Sequence, residues 1–106
     1  MNGRETLQFS KAQIQDFSQK WEVAELHLFG SVLREDFGPE SDVDVLVTFL
    51  PDAPWSLLDL VRMEEELSRL FGRKVDLVER PAVERSENYI RRKRILSSLE
   101  PLYVAG

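Results

Sequence analysis

The stretch "LFGSVLREDFGPESDVDVLV" (28–47) holds Gly30-Ser31, ten intervening residues, and then Asp42 and Asp44 separated by one valine. Carboxylates at the head of so apolar a run need a reason. Side chains alternate along a strand, so Asp42 and Asp44 project from one face about 7 Å apart along the backbone, while Val43, Val45 and Val47 take the core-facing side. Two carboxylates this close repel, and setting them beside a core is costly unless a cation sits between them. Oxygen ligands alone suit a hard divalent ion, Mg²⁺ above all, which keeps waters and accepts one or two protein carboxylates plus substrate phosphates.

Gly30-Ser31 supplies the complementary half. A glycine lets the backbone approach a ligand closely. A helical turn starting just after it offers unpaired N–H groups and the positive end of a dipole, a natural seat for phosphate. Ser31 adds a hydroxyl. Together these residues describe a site for a Mg²⁺-bound polyphosphate. Asp76, flanked by Val75 and Leu77, is a third carboxylate. If its strand lies beside the one carrying Asp44, two ions roughly 3.5–4 Å apart can clamp an in-line displacement. Arg34, one turn past the phosphate seat, can neutralise charge developing on the phosphate oxygens. No G-x-x-x-x-G-K-[ST] or G-x-G-x-x-G pattern competes.

The elements that must position these residues follow from periodicity. Ser10 with Gln13 makes a capping box, and Ile14, Phe17 and Trp21 recur at helical spacing, predicting an amphipathic helix over 11–21. A strand is predicted over 25–29 and a turn or two of helix over 31–36, broken by Gly38-Pro39. The β-branched run 43–50, closed by Pro51, is the strongest strand. Ser56 with Asp59 is a second capping box. Leu57, Leu60, Val61, Leu67 and Leu70 populate one helical face up to Gly72, a C-cap. A third strand is expected over 74–79, then a turn around Pro81 and a last helix over about 87–98 with Ile90, Ile95 and Leu96 inward. The order α-β-α-β-α-β-α implies an α/β or α+β two-layer domain, a small sheet covered by helices.

Bulk properties narrow the class. The 106 residues are read as one domain, 1–106, of ordinary globular composition, 42% hydrophobic and 31% charged. Without cysteine there is no disulfide or thiolate metal site, and a reducing compartment is the simple inference. No apolar run resembles a signal peptide or reaches membrane-spanning length, so the expected location is cytoplasmic. Fourteen basic against nineteen acidic side chains, a net charge of −5, argue against a dedicated nucleic-acid binder.

The pattern Gly-Ser, ten residues, Asp-Val-Asp, with "GRKVDLV" further on, resembles the signature of the DNA polymerase β-type nucleotidyltransferase superfamily, and within it the minimal nucleotidyltransferases. The resemblance covers nearly the whole chain, to the closing "RRKRILSSLEPLYV". It implies a small mixed sheet flanked by helices, Mg²⁺ in a two-metal site, and ATP as substrate. By position it makes Gly30 and Ser31 the phosphate-binding pair, Asp42 and Asp44 the metal ligands, and Asp76 the third carboxylate. It sets Arg34 and Ser41 where the family often has the same residues, at the nucleotide. Minimal nucleotidyltransferases are similar to antitoxins paired with a HEPN-domain RNase toxin, which they can silence by adenylylating a tyrosine. The resemblance therefore implies transfer of AMP to a hydroxyl, most simply a tyrosine of a cognate HEPN toxin. The two chains would form a hetero-oligomer, a type VII-like toxin–antitoxin pair.

Two alternatives stay open: a non-catalytic antitoxin that masks its partner by complex formation, and an aminoglycoside-type modifier of small molecules. Among the remaining residues His27 reads as structural, and Trp21 and Trp55 as packing. The basic run 91–94 reads as a solvated helix face, with a contact to the nucleotide or an acidic partner as its alternative.

Overall fold

The structure, a computed structural model, describes residues 9–33 and 41–105. Helix α1 (Lys11–Lys20) opens on Ser10, whose side chain accepts a hydrogen bond from the Gln13 N–H. Strand β1 (Val23–Phe29) runs into a single 3₁₀ turn (Gly30–Leu33). Strand β2 (Val43–Phe49) is followed by helix α2 (Leu57–Phe71), strand β3 (Val75–Glu79), the short helix α3 (Arg80–Glu84), helix α4 (Tyr89–Leu96) and strand β4 (Glu100–Val104). The four strands form one mixed sheet in the order β3-β2-β1-β4. β1 is antiparallel to both β2 and β4, and β2 is parallel to β3.

Alternation along the strands gives the sheet two different faces. On the first, Leu26 and Leu28 of β1, Val43, Val45 and Val47 of β2 and Val75 of β3 pack against Ile14 and Phe17 of α1 and Met63, Leu67 and Phe71 of α2. On the second, Phe29 and Leu46 meet Val83 of α3 and Ile95 of α4 in a smaller cluster. Trp21 and Trp55 pack edge to face, 5.0 Å between ring centroids, and the Trp55 indole N–H donates to the Trp21 carbonyl at 2.7 Å, so both serve packing as expected.

α2 is held at both ends by its caps. The Ser56 N–H donates to the Asp59 carboxylate at 3.0 Å, a bond that holds the Asp59 carboxyl below the usual carboxylate range. Gly72 ends the helix at φ +66°, a left-handed conformation that suits glycine. Two side chains one turn apart on α2 then secure the sheet edge. Ser68 accepts from the Val75 N–H at 3.0 Å and Glu64 from the Leu77 N–H at 2.8 Å. The outward N–H groups of an edge strand are thereby satisfied, which also blunts it against foreign pairing.

Several elements differ from expectation. The last helix spans only Tyr89–Leu96, preceded by the unexpected α3, where Pro81 sits in the first turn and its fixed φ favours helix over an open turn. Residues 100–104 form the edge strand β4. On α2, Leu57 is 78% exposed and Leu58 and Val61 are also exposed, because the helix buries another face, the stripe Met63, Leu67 and Phe71 with Leu60 packed against the same core. Ile90 is 69% exposed rather than inward. Among the described residues no helix is long and apolar enough to cross a membrane.

Candidate active site

The site is built where β1 ends and β2 and β3 begin. In the β1–β2 register Phe29 stands opposite Asp44, and in the parallel β2–β3 register Asp44 stands opposite Asp76. Neighbouring strands are about 4.8 Å apart, so the two carboxylates sit side by side on the second face of the sheet. Asp44 is half-buried and Asp76 is exposed. Between them, Gly30 and the helices lies a cavity of about 490 Å³, lined by Phe29, Gly30, Asp44, Asp76, Asn88 and Arg91 among others. That is a volume suited to a small-molecule ligand.

Gly30 is required here twice over. Its φ is +74°, and a Cβ at this position would collide with the Asp44 carboxylate oxygen Oδ2. The chain makes its turn in the left-handed region and leaves room for that carboxylate at the same point. Ser31 follows within the 3₁₀ turn. Arg34 lies outside the described residues.

Asp42 immediately precedes β2 and is exposed, with the Lys74 Nζ 4.0 Å from its Oδ2. Ser41 is anchored by its backbone, its carbonyl accepting from the Arg73 guanidinium at 2.9 Å. Asp44 and Asp76 thus line the cavity together, whereas Asp42 and Ser41 are not among its lining residues. Among the described residues no three Asp, Glu or His side chains stand together as a metal cluster. The donor set still fits a hard cation: two adjacent carboxylates, oxygen only, with the remaining positions left to phosphate oxygens and water.

The helical wall is basic. Arg91 and Arg94 line the cavity from helix α4, whereas Asp44 and Asp76 line it from the sheet. The basic run 91–94 is therefore only partly a solvated face. Its helical spread divides it, since Arg92 turns away to donate to the Ser86 carbonyl at 2.9 Å and lie over the Tyr89 ring. The signal in the sequence was spacing: Arg91 and Arg94 fall one turn before and one residue before the buried Ile95. Glu64 and Ser68, which fix the strand bearing Asp76, carried only the i, i+4 spacing of two polar residues.

His27, the only histidine, is 8% exposed, with Nε2 at 3.8 Å from Glu25 and Nδ1 without a hydrogen-bond partner. Burial pushes its pKa down, partly offset by the Glu25 carboxylate and reinforced by the Arg80 cation. It is not a lining residue of the carboxylate cavity.

The family model described as the nucleotidyltransferase domain matches residues 10–99. The protein adenylyltransferase MntA of Thermococcus cleftensis is 40% identical over 67 residues, 63% of this chain and 66% of that protein. The chain spans just under two thirds of the length of the first curated relatives it matches. A solved structure carrying the provisional name of a minimal nucleotidyltransferase superposes with a TM-score of 0.66 at 25% identity, over 95% of this chain and 96% of that one. A toxin–antitoxin solved with AMP-PNP gives a TM-score of 0.68 at 17% identity, covering 92% and 75% of the two chains. A tri-AMPylated Shewanella oneidensis HEPN toxin in complex with MNT antitoxin gives 0.57 at 16%, covering 90% and 70%. At these last identities the likeness is one of fold.

Proposed function

Because the chain belongs to the nucleotidyltransferase domain family and is a minimal member of it, we propose that it transfers AMP from ATP to a protein hydroxyl and acts as the antitoxin of a HEPN-type toxin. The observation that carries this reading is the juxtaposition of Asp44 and Asp76 across the β2–β3 pair, opening with Gly30 onto one ligand-sized cavity. The name of the T. cleftensis relative and the AMPylated toxin bound to a protein of this fold supply the direction.

Asp44 and Asp76, with Asp42 two residues before Asp44, would hold Mg²⁺. Bound there, the ion supplies a lowered pKa for the attacking hydroxyl and charge neutralisation at the phosphates. In the transfer, the acceptor oxygen bonds to the α-phosphorus, the bond to the β-phosphate oxygen breaks, and its electron pair leaves with pyrophosphate. The hydroxyl proton passes to solvent or a neighbouring carboxylate. The 3₁₀ turn at Gly30-Ser31 seats the phosphates, and Arg34 and Ser41 lie close enough in sequence to assist. The acceptor we favour is a tyrosine of the toxin, in a cytoplasmic hetero-oligomer.

The decisive test is labelling. The protein is incubated with α-phosphate-labelled ATP, Mg²⁺ and a co-expressed HEPN partner, beside an Asp42→Asn/Asp44→Asn control. Label on the partner that is absent from the control and mapped to a tyrosine is expected. Toxin neutralisation that survives in the control without any label would instead make the chain a binding antitoxin. Label found only on small molecules would move it to the antibiotic-modifying class.

A further inference from the structure

We propose that Arg91 and Arg94 form the wall that holds the β- and γ-phosphates of the nucleotide, making α4 the leaving-group side of the site; this rests on the nucleotidyl-transfer reading above. The helix is pinned by Ile95, buried against Phe29, Leu46 and Val83. Residues three and four apart share a helix face, so burying Ile95 brings Arg91 to the cavity edge, and Arg94, three beyond Arg91, joins it. Both line the cavity.

Three further facts set these two guanidinium groups apart from their neighbours. Among the described residues neither makes a hydrogen bond or ion pair through its side chain, whereas Arg92 is committed to Ser86 and Tyr89. Neither pairs with Asp44 or Asp76, the acidic residues that line the same cavity, so positive and negative groups are held apart. Asn88 fixes the start of the helix by accepting from the Arg91 N–H at 3.1 Å, which sets where that residue's side chain departs.

A cavity with carboxylates on one wall and guanidinium groups on the other selects a ligand that is cationic towards one side and anionic towards the other. A metal-bound polyphosphate has that character. The guanidinium fork matches phosphate oxygens in a bidentate manner that lysine does not reproduce. As the bond between the α-phosphorus and the bridging oxygen breaks, charge accumulates on the departing pyrophosphate, where fixed donors are most effective.

The experiment measures binding of Mg·ATP and of AMP to the purified full chain by calorimetry, for the wild type, Arg91→Ala/Arg94→Ala, Arg91→Lys/Arg94→Lys and Lys93→Ala. We expect the alanine pair to weaken Mg·ATP on the order of 10- to 100-fold. AMP, which lacks the outer phosphates, should bind as before. The lysine pair should recover only part of the loss, and Lys93→Ala should match the wild type. Thermal melts of the alanine pair and of each single variant verify that the fold is retained. Unchanged Mg·ATP affinity in the alanine pair, or an equal loss for AMP and ATP, overturns the assignment while leaving the transferase reading standing. A wild-type chain that neither binds Mg·ATP nor labels any acceptor overturns both.

Discussion

The two faces of the sheet are made by the same strands and do opposite work. The first is closed: α1 and α2 cover it and the residues between them are hydrocarbon, from Ile14 and Phe17 through Val43, Val45 and Val47 to Met63 and Leu67. The second is only part-covered, by two short helices over a cluster of Phe29, Leu46, Val83 and Ile95, and beside that cluster lie the carboxylates, the arginines and the cavity. One face secures the fold, which leaves the other free to carry like charges and open space that would be untenable in a principal core. In β2 the division runs residue by residue, with valines at 43, 45 and 47 on one side and Asp44 with Leu46 on the other.

That contrast can be broken, starting with its largest expected effect. Leu67→Ala on the closed face should cost about 2–5 kcal/mol in denaturant unfolding. Glu64→Ala should cost roughly 1–3 kcal/mol by stripping the Leu77 N–H of its acceptor, and should lower nucleotide affinity as well because it loosens the strand that bears Asp76. Gly30→Ala should lose about 1–2 kcal/mol to its left-handed backbone and, independently, displace the Asp44 carboxylate, so that metal-dependent nucleotide binding fails in a chain that still folds. Asp44→Asn should abolish that binding while moving the melting midpoint little or slightly upwards, since a like charge beside Asp76 is removed. Were Asp44→Asn to unfold the chain as far as Leu67→Ala does, the open face would be structural and the comparison would collapse.

The smallest effect concerns acidity. Burial holds the His27 pKa below its ordinary value, so the unfolded chain takes up the proton first as pH falls below about 6.5. Stability should therefore be full above that value and decline on acidification until His27 protonates within the fold. Glu25 and Arg80, the charges that face it, act in opposite senses on where the decline ends. His27→Gln should flatten this part of the stability profile, read from thermal melts between pH 7.5 and pH 5 (a range chosen to bracket ~6.5).

Much of the site was legible because it is local in sequence. Gly30 and Asp44 fall within fifteen residues, and the alternation of 43–47 states which face each side chain takes, although Asp42, just as local, is not among the cavity's lining residues. The position of Asp76 was legible in type but conditional on pairing, which the β2–β3 register meets. What escaped depends on contacts between distant segments. β4 carries Pro101 and pairs only with β1, so nothing in its own pattern marks a strand. The apolar period of α2 includes Leu57 and Val61, which lie off the face that the helix buries through Leu60, Met63 and Leu67. The run 91–94 shows that charges will spread around a helix, but only the burial of Ile95 decides which two meet the cavity.

The parallel pairing of Asp44 with Asp76 has a kinetic consequence. A parallel pair needs a crossover, here the whole of α2, so the strands that supply the two carboxylates cannot meet until that helix has docked. Non-local pairings of this kind form late, after their loop-closure entropy has been met. A partly folded chain in which β2 and β3 are unpaired therefore does not bring Asp44 and Asp76 side by side. On the proposed reading, nucleotide would bind only molecules that have completed the sheet and would favour them by mass action.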